Sequence, residues 1–110
     1  MMLRKGDVCL LNLEVGFGHE QSGKRPALIL ATTDTSIVVV IPLTSNTEAL
    51  RFSHTFLLQA NKGNGLTNDS VALLFHIRAV DARRISELCG RIQSSVQRRV
   101  DEKLRRLLEL

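Results

Sequence analysis

The sequence predicts a mainly β domain closed by one C-terminal helix, folded as a small, strongly bent antiparallel barrel. Three observations predict it. Short apolar runs follow one another, separated by turns rich in glycine, asparagine, serine and threonine, and this is how consecutive strands read. The period changes only at the end of the chain, where Val96, Val100, Leu104, Leu107 and Leu108 fall on one helical face. No helical segment separates the runs, so a doubly wound parallel sheet would lack its crossovers.

Each element has its own justification. Residues 7–13 suit a first strand, and residues 15–24 read as a loop with three glycines and no apolar periodicity. Arg25 opens the second strand, because Pro26 fits a strand's first positions and residues 27–31 are continuously apolar. The third strand, 37–43, is rich in β-branched side chains and apolar on both faces, which implies burial on both sides. Thr44, Ser45 and Asn46 lead into a polar stretch suited to a short helical turn, followed by a strand over 55–59. Asn61, Gly63, Asn64 and Gly65 mark a tight turn of residues that tolerate positive φ. A long strand over 70–80 and a shorter one over 87–92 complete the sheet. Ser94, with Gln97 three residues on, has the spacing of a capping box at the start of the final helix.

One domain spanning 1–110 is expected, since the chain of 110 residues shows no repeat, linker or low-complexity tract. Fifteen Lys and Arg against eleven Asp and Glu leave a net charge of +4, which favours a polyanionic partner. Much of the cationic charge on the helix interleaves with Asp101, Glu102 and Glu109, as on a solvated face. Aromatic side chains make up 4%, with no Trp or Tyr, so a reader that stacks several bases on rings is disfavoured. Nucleic-acid contacts are expected to use Arg, Lys, backbone amides and polar side chains instead. No apolar run approaches the roughly 18 residues of a membrane span, and residues 1–7 do not read as a secretory signal. The expected location is the cytoplasm, with no membrane contact. Cys9 and Cys89 form no CxxC pair and are expected to be reduced and buried.

The sharpest local feature is Gly18-His19-Glu20-Gln21-Ser22-Gly23-Lys24-Arg25, which nearly spells a phosphate-binding P-loop. Arg25 stands where that motif needs a hydroxyl for Mg²⁺, and Pro26 leads into a strand where a helix is needed. What remains is a glycine-flanked loop that carries an imidazole, a carboxylate, an amide and two cations to the edge of a strand. His19, His54 and His76 lie 22 or more positions apart and lack metal-ligand spacing. No nucleophile elbow or calcium loop is present. The expected chemistry therefore uses no metal and no cofactor. RNA suits such a protein, because the 2′-hydroxyl supplies the nucleophile. The protein then needs a proton acceptor, a proton donor and cationic groups for the phosphorane, and Glu20, His19, Arg25 and Thr44 are residues of those types.

The order Lys5-Gly6-Asp7-Val8, Glu20-Gln21-Ser22-Gly23-Lys24-Arg25-Pro26, Pro42-Leu43-Thr44-Ser45, Asp69-Ser70-Val71 and His76-Ile77-Arg78 resembles the MazF/PemK family of toxin-antitoxin ribonucleases across nearly the whole chain. The resemblance implies an SH3-like barrel of the CcdB/MazF/PemK type with a C-terminal helix. It also implies a homodimer that cleaves single-stranded RNA, mRNA included, at selected sequences and leaves a 2′,3′-cyclic phosphate. A cognate antitoxin with an acidic, flexible tail would block the RNA groove. By the same resemblance Arg25, Thr44 and Glu20 are the catalytic residues. His19, Gln21, Lys24, Ser45, His76 and Arg78 are the candidate substrate contacts. The pattern departs where the family carries an acidic residue followed by glutamine and this chain has Phe75 and His76, which leaves the cleaved sequence open. Two rival readings keep the fold and change the function: a catalytically silent SH3-like binding module, and a toxin that poisons gyrase through its C-terminal residues.

Overall fold

A computed structural model of the chain describes residues 2–13 and 23–110. Among them are seven strands: β1 (Asp7–Leu13), β2 (Gly23–Thr32), β3 (Ile37–Thr44), β4 (Thr55–Leu58), β5 (Ser70–Leu73), β6 (Arg78–Asp81) and β7 (Ile85–Arg91). A 15-residue helix, α1 (Ser94–Leu108), ends the chain. All pairings are antiparallel, in the order β4-β5-β3-β2-β1-β7, with β6 joined to β3. The expected mainly β architecture with one C-terminal helix is therefore what the chain adopts.

β3 is the hub, and its sequence explains the layout. Its outer edge pairs with β6 over Ile37–Val40 and with β5 at Leu43 and Thr44. Buried Pro42 lies near the exchange, so the proline, which has no N–H to donate, sits where neither outer partner is recorded. The chain opposite makes the matching jog. The expected single strand over 70–80 is broken by a 3₁₀ turn at Leu74–His76 into β5 and β6. Alternation could not reveal this break, because it follows from what β3 offers its neighbour. Other bounds move less: β2 begins at Gly23, β4 stops at Leu58, and β7 runs from Ile85 to Arg91.

β3 and β2 are buried on both faces, as their composition implies. Val8, Leu28, Ile41 and Leu43 point into one apolar cluster with Phe56, Leu74 and Val100 of the helix. Their strand neighbours Cys9, Ala27, Ile29 and Val40 enter a second cluster with Leu11, Val80 and Ile85. The alternation follows the pleat. Register shifts in β1–β7 and in β2–β3 mark bulges that bend the sheet. The bending brings the two ends of the sheet together, where the Arg91 N–H donates to the Gly63 carbonyl at 2.8 Å. A Cβ on Gly65, whose φ is +68°, would fall on the Cys89 carbonyl oxygen, and one on Gly90 would meet the Gly63 carbonyl. Only glycine allows that approach at either position.

The helix lies over the first cluster, with Val100 fully buried and the Arg99 guanidinium 5.0 Å from the Phe56 ring. Its expected capping box does not form. Gln93 is the N-cap and makes no side-chain cap bond, while the Gln97 amide donates to Asp101 at 2.8 Å. Ser94 is thus already helical, and Gln97 is committed one turn along the helix. Cys9 is fully buried as expected, but Cys89, at the β7 bulge, is only half-buried.

Candidate nucleic-acid interface

The strand ladder decides which of the expected site residues meet. Arg25 pairs with Leu11 and Lys24 with Asn12 at the start of β2. On its other edge β2 pairs with β3 as far as Ala27 opposite Pro42. Two residues further along each strand are Arg25 and Thr44, so that register brings them level. Each is an even number of residues from a side chain of the second cluster, Arg25 from Ala27 and Ile29, Thr44 from Val40. They therefore share a face of the sheet, whereas Lys24 takes the other.

At the strand ends a groove of about 370 Å³ is bordered by Lys24, Arg25 and Ser45, by Thr67, Asn68 and Ser70 beyond the Asn61–Gly65 turn, and by Glu87 of β7. Two cations thus meet a carboxylate and three hydroxyls. The side chain of the half-buried Arg25 has no hydrogen bond or ion pair with another described residue. Its charge is open to an anion. Thr44 is held differently. Its Oγ1 accepts the Asn46 N–H at 3.2 Å, which uses the oxygen as acceptor and leaves the hydroxyl hydrogen to donate.

The turn from residue 61 to 65 positions the far wall. Asn64 is 3% exposed, and its side chain accepts from the Asn61 and Leu66 N–H groups and donates to the Gln59 carbonyl. Ser70 Oγ donates to the Asn68 carbonyl at 2.9 Å. Thr67, Asn68 and Glu87 carry no local pattern that marks them, and Ser70 stands in the family-like Asp69-Ser70-Val71 segment without being a candidate contact. Only the closure of the sheet brings them to Arg25.

Thr44, Arg78 and His76 do not line this groove. Arg78 is opposite Val40 on β6, exposed and on the Arg25 face. Four residues of β3 separate that level from Thr44, about 13 Å at strand rise. His76 is not in a strand, as the expected run over 70–80 would place it. It is exposed on the 3₁₀ turn between β5 and β6. His19, Glu20 and Gln21 belong to residues 14–22 and lie outside the described residues. Among the described residues no three His, Cys, Asp or Glu side chains gather in a way that could hold a metal ion. No helix among them is long and apolar enough to cross a membrane.

A curled antiparallel sheet closed by a C-terminal helix, with a strand-end groove bordered by two cations, defines a small β protein, and comparison with known proteins narrows that class. The family model for the PemK-like, MazF-like toxin of type II toxin-antitoxin systems matches residues 4–108, and the chain belongs to that family. It is 30% identical over 116 aligned positions to Endoribonuclease EndoA of Bacillus subtilis, covering 100% of this chain and 97% of that protein. Endoribonuclease MazF9 of Mycobacterium tuberculosis is 26% identical, with 99% and 98% covered. The crystal structure of MazF from Deinococcus radiodurans superposes with a TM-score of 0.82 at 29% identity, covering 100% of this chain and 99% of that one. A MazE-MazF structure from the same organism matches at a TM-score of 0.75 and 30% identity, with 96% and 95% covered.

Proposed function

We propose that this toxin-family endoribonuclease cuts single-stranded RNA, mRNA included, at selected sequences and without a metal ion. In the reaction the 2′-oxygen attacks the adjacent phosphorus, its proton passes to a base, the bond from phosphorus to the 5′-oxygen breaks, and that oxygen is protonated as it leaves. The products are a 2′,3′-cyclic phosphate and a 5′-hydroxyl. Arg25 stabilises the charge that builds on the phosphorane, where a fixed cation counts most. Guanidinium groups keep their proton in proteins, so Arg25 is an electrostatic group and not the base. Thr44 donates its hydroxyl hydrogen to the scissile phosphate, and Glu20 accepts the 2′-hydroxyl proton. Lys24, Ser45, His19 and Gln21 contact the backbone near the cut. His76 and Arg78 contact nucleotides further along.

The observation that carries this reading is the shared level and face of Arg25 and Thr44, one a cation with no ion-pair partner among the described residues and the other a hydroxyl free to donate, in a chain of this toxin family. The chain acts as one domain over 1–110 and as a homodimer in the cytoplasm, where its substrate is. Its antitoxin supplies an acidic, flexible tail that competes for the same cations. Purified protein incubated with long single-stranded RNA in EDTA should give discrete fragments, and Arg25→Ala should give none in the same time. Intact RNA after long incubation with the unaltered protein would overturn the reading, and cleavage by Arg25→Ala at a rate near that of the wild type would remove Arg25 from the mechanism.

A further inference from the structure

The chain has four phenylalanines, and the three among the described residues have different fates. Phe56 is 7% exposed in the core beneath the helix. Phe52 and Phe75 are 50% and 41% exposed, 23 positions apart in sequence, yet their rings meet edge to face at 6.4 Å and 81°. The His76 imidazole lies 4.8 Å from Phe75, and the Arg51 guanidinium stands 4.8 Å from the centre of the Phe52 ring. Two rings, an imidazole and a guanidinium thus form one exposed patch. Folding gains little from leaving so much aromatic surface in water.

The patch is rigidly built. Phe52 ends the 3₁₀ turn Thr47–Arg51, where its N–H donates to the Ala49 carbonyl and its own carbonyl accepts the Thr55 hydroxyl at 2.9 Å. Phe75 lies inside the turn Leu74–His76, which is tied to the neighbouring loop by the Leu74 N–H donating to the His54 carbonyl at 3.0 Å. The patch is also tied to Thr44 along the chain. Thr44 Oγ1 accepts from Asn46, the Asn46 side chain caps the turn at Glu48, and the turn ends at Phe52.

We propose that Arg51, Phe52, Phe75 and His76 form a base-stacking platform for single-stranded RNA, which holds unpaired bases of the strand away from the cut. The proposal rests on the ribonuclease reading and deepens it. A ring face accepts any unpaired base, and an adjacent guanidinium offers both a stacking plane and a charge for the phosphate backbone. A paired base hides its faces, so the platform selects single strands. Composition argued against aromatic readers. The fold overcomes the scarcity by bringing two of four phenylalanines to one place.

The absence of Trp and Tyr from the sequence makes Phe75→Trp a clean probe. In an Arg25→Ala background, which leaves RNA uncut, single-stranded oligoribonucleotide should quench the new indole, and a duplex of the same sequence should not. In otherwise unaltered protein, Phe75→Leu and Phe52→Ala should each raise KM for RNA roughly tenfold while kcat changes by less than about twofold. Phe75→Leu keeps the apolar bulk, so the test survives if Phe52→Ala does not fold. Unchanged KM and an unquenched indole, with RNA still cut by wild type and spared by Arg25→Ala, would overturn the platform and leave the ribonuclease reading standing. Equal quenching by duplex would also overturn it. So would a change in mass by light scattering in Phe75→Leu at unchanged KM, since that marks a protein contact. Quenching without any cleavage by wild type would support the platform and sink the ribonuclease reading instead.

Discussion

Arg91 and Arg25 are both arginines at strand ends, yet the fold uses them in opposite ways. Arg91 donates to Asp7 at 2.7 Å, and Asp7, 5% exposed, also accepts the Arg4 N–H at 2.8 Å. Every charge there is answered, and Gly6 beside it links the Ile29 carbonyl to the Ile92 N–H. That corner pins the N-terminus to β7 and the start of the helix. Arg25 has no such partner among the described residues and faces a groove. A neutralised arginine holds structure, whereas an open one is available to an anion. Residue type alone does not tell them apart.

The comparison breaks most sharply under substitution. Arg25→Ala should lower RNA cleavage by about two to three orders of magnitude and leave the melting temperature near that of the wild type. A large loss of stability would mean that Arg25 is structural after all. Asp7→Ala should do the reverse. It strips Arg91 and the Arg4 N–H of their acceptor and should cost about 2 kcal/mol of stability by urea denaturation, while cleavage per folded molecule is retained. Thr44→Ala lies between. Losing a phosphate donor should slow cleavage by roughly tenfold or more, losing the bond from Asn46 should cost about 1 kcal/mol or less, and Thr44→Ser should restore most of the rate.

Cys9 stands two residues along β1 from Asp7. Burial, then Cys89 and Asp7, push the Cys9 thiol from its ordinary 9.0 up to about 12. Between those values the unfolded chain releases the proton and the folded chain keeps it, so stability should fall as pH rises from 9 toward 12. Denaturation midpoints at pH 8 and 11 should differ less in Cys9→Ala than in the wild type. At pH 8 Cys9 should resist alkylation until the protein unfolds.

Strand β1 matches its expected bounds, and β3 runs one residue longer than expected. Dense β-branched and apolar runs leave few alternatives. The helix was legible too, because five apolar positions at helical spacing carry the signal independently of context. The broken strand was not legible, since 70–80 is uniformly strand-like and the interruption comes from its partner changing near Pro42. The capping box failed for a similar reason. Gln97 has a better partner in Asp101 than in its own cap.

For the site, Arg25, Thr44, Lys24 and Ser45 could be picked from the sequence because they flank recognisable strand ends. Glu87, Thr67, Asn68 and the Phe52–Phe75 contact could not. They come from segments up to 62 positions from Arg25, and only closure of the sheet sets them beside it or beside one another. The sequence by itself determined the elements, the basic balance and the residues able to serve RNA chemistry, because periodicity and side-chain type are local properties. The tertiary structure decided that Arg91 is neutralised by Asp7 while Arg25 has no ion-pair partner among the described residues, and where the described aromatic rings gather. Pairing register and burial set those distances, and no stretch of sequence contains them.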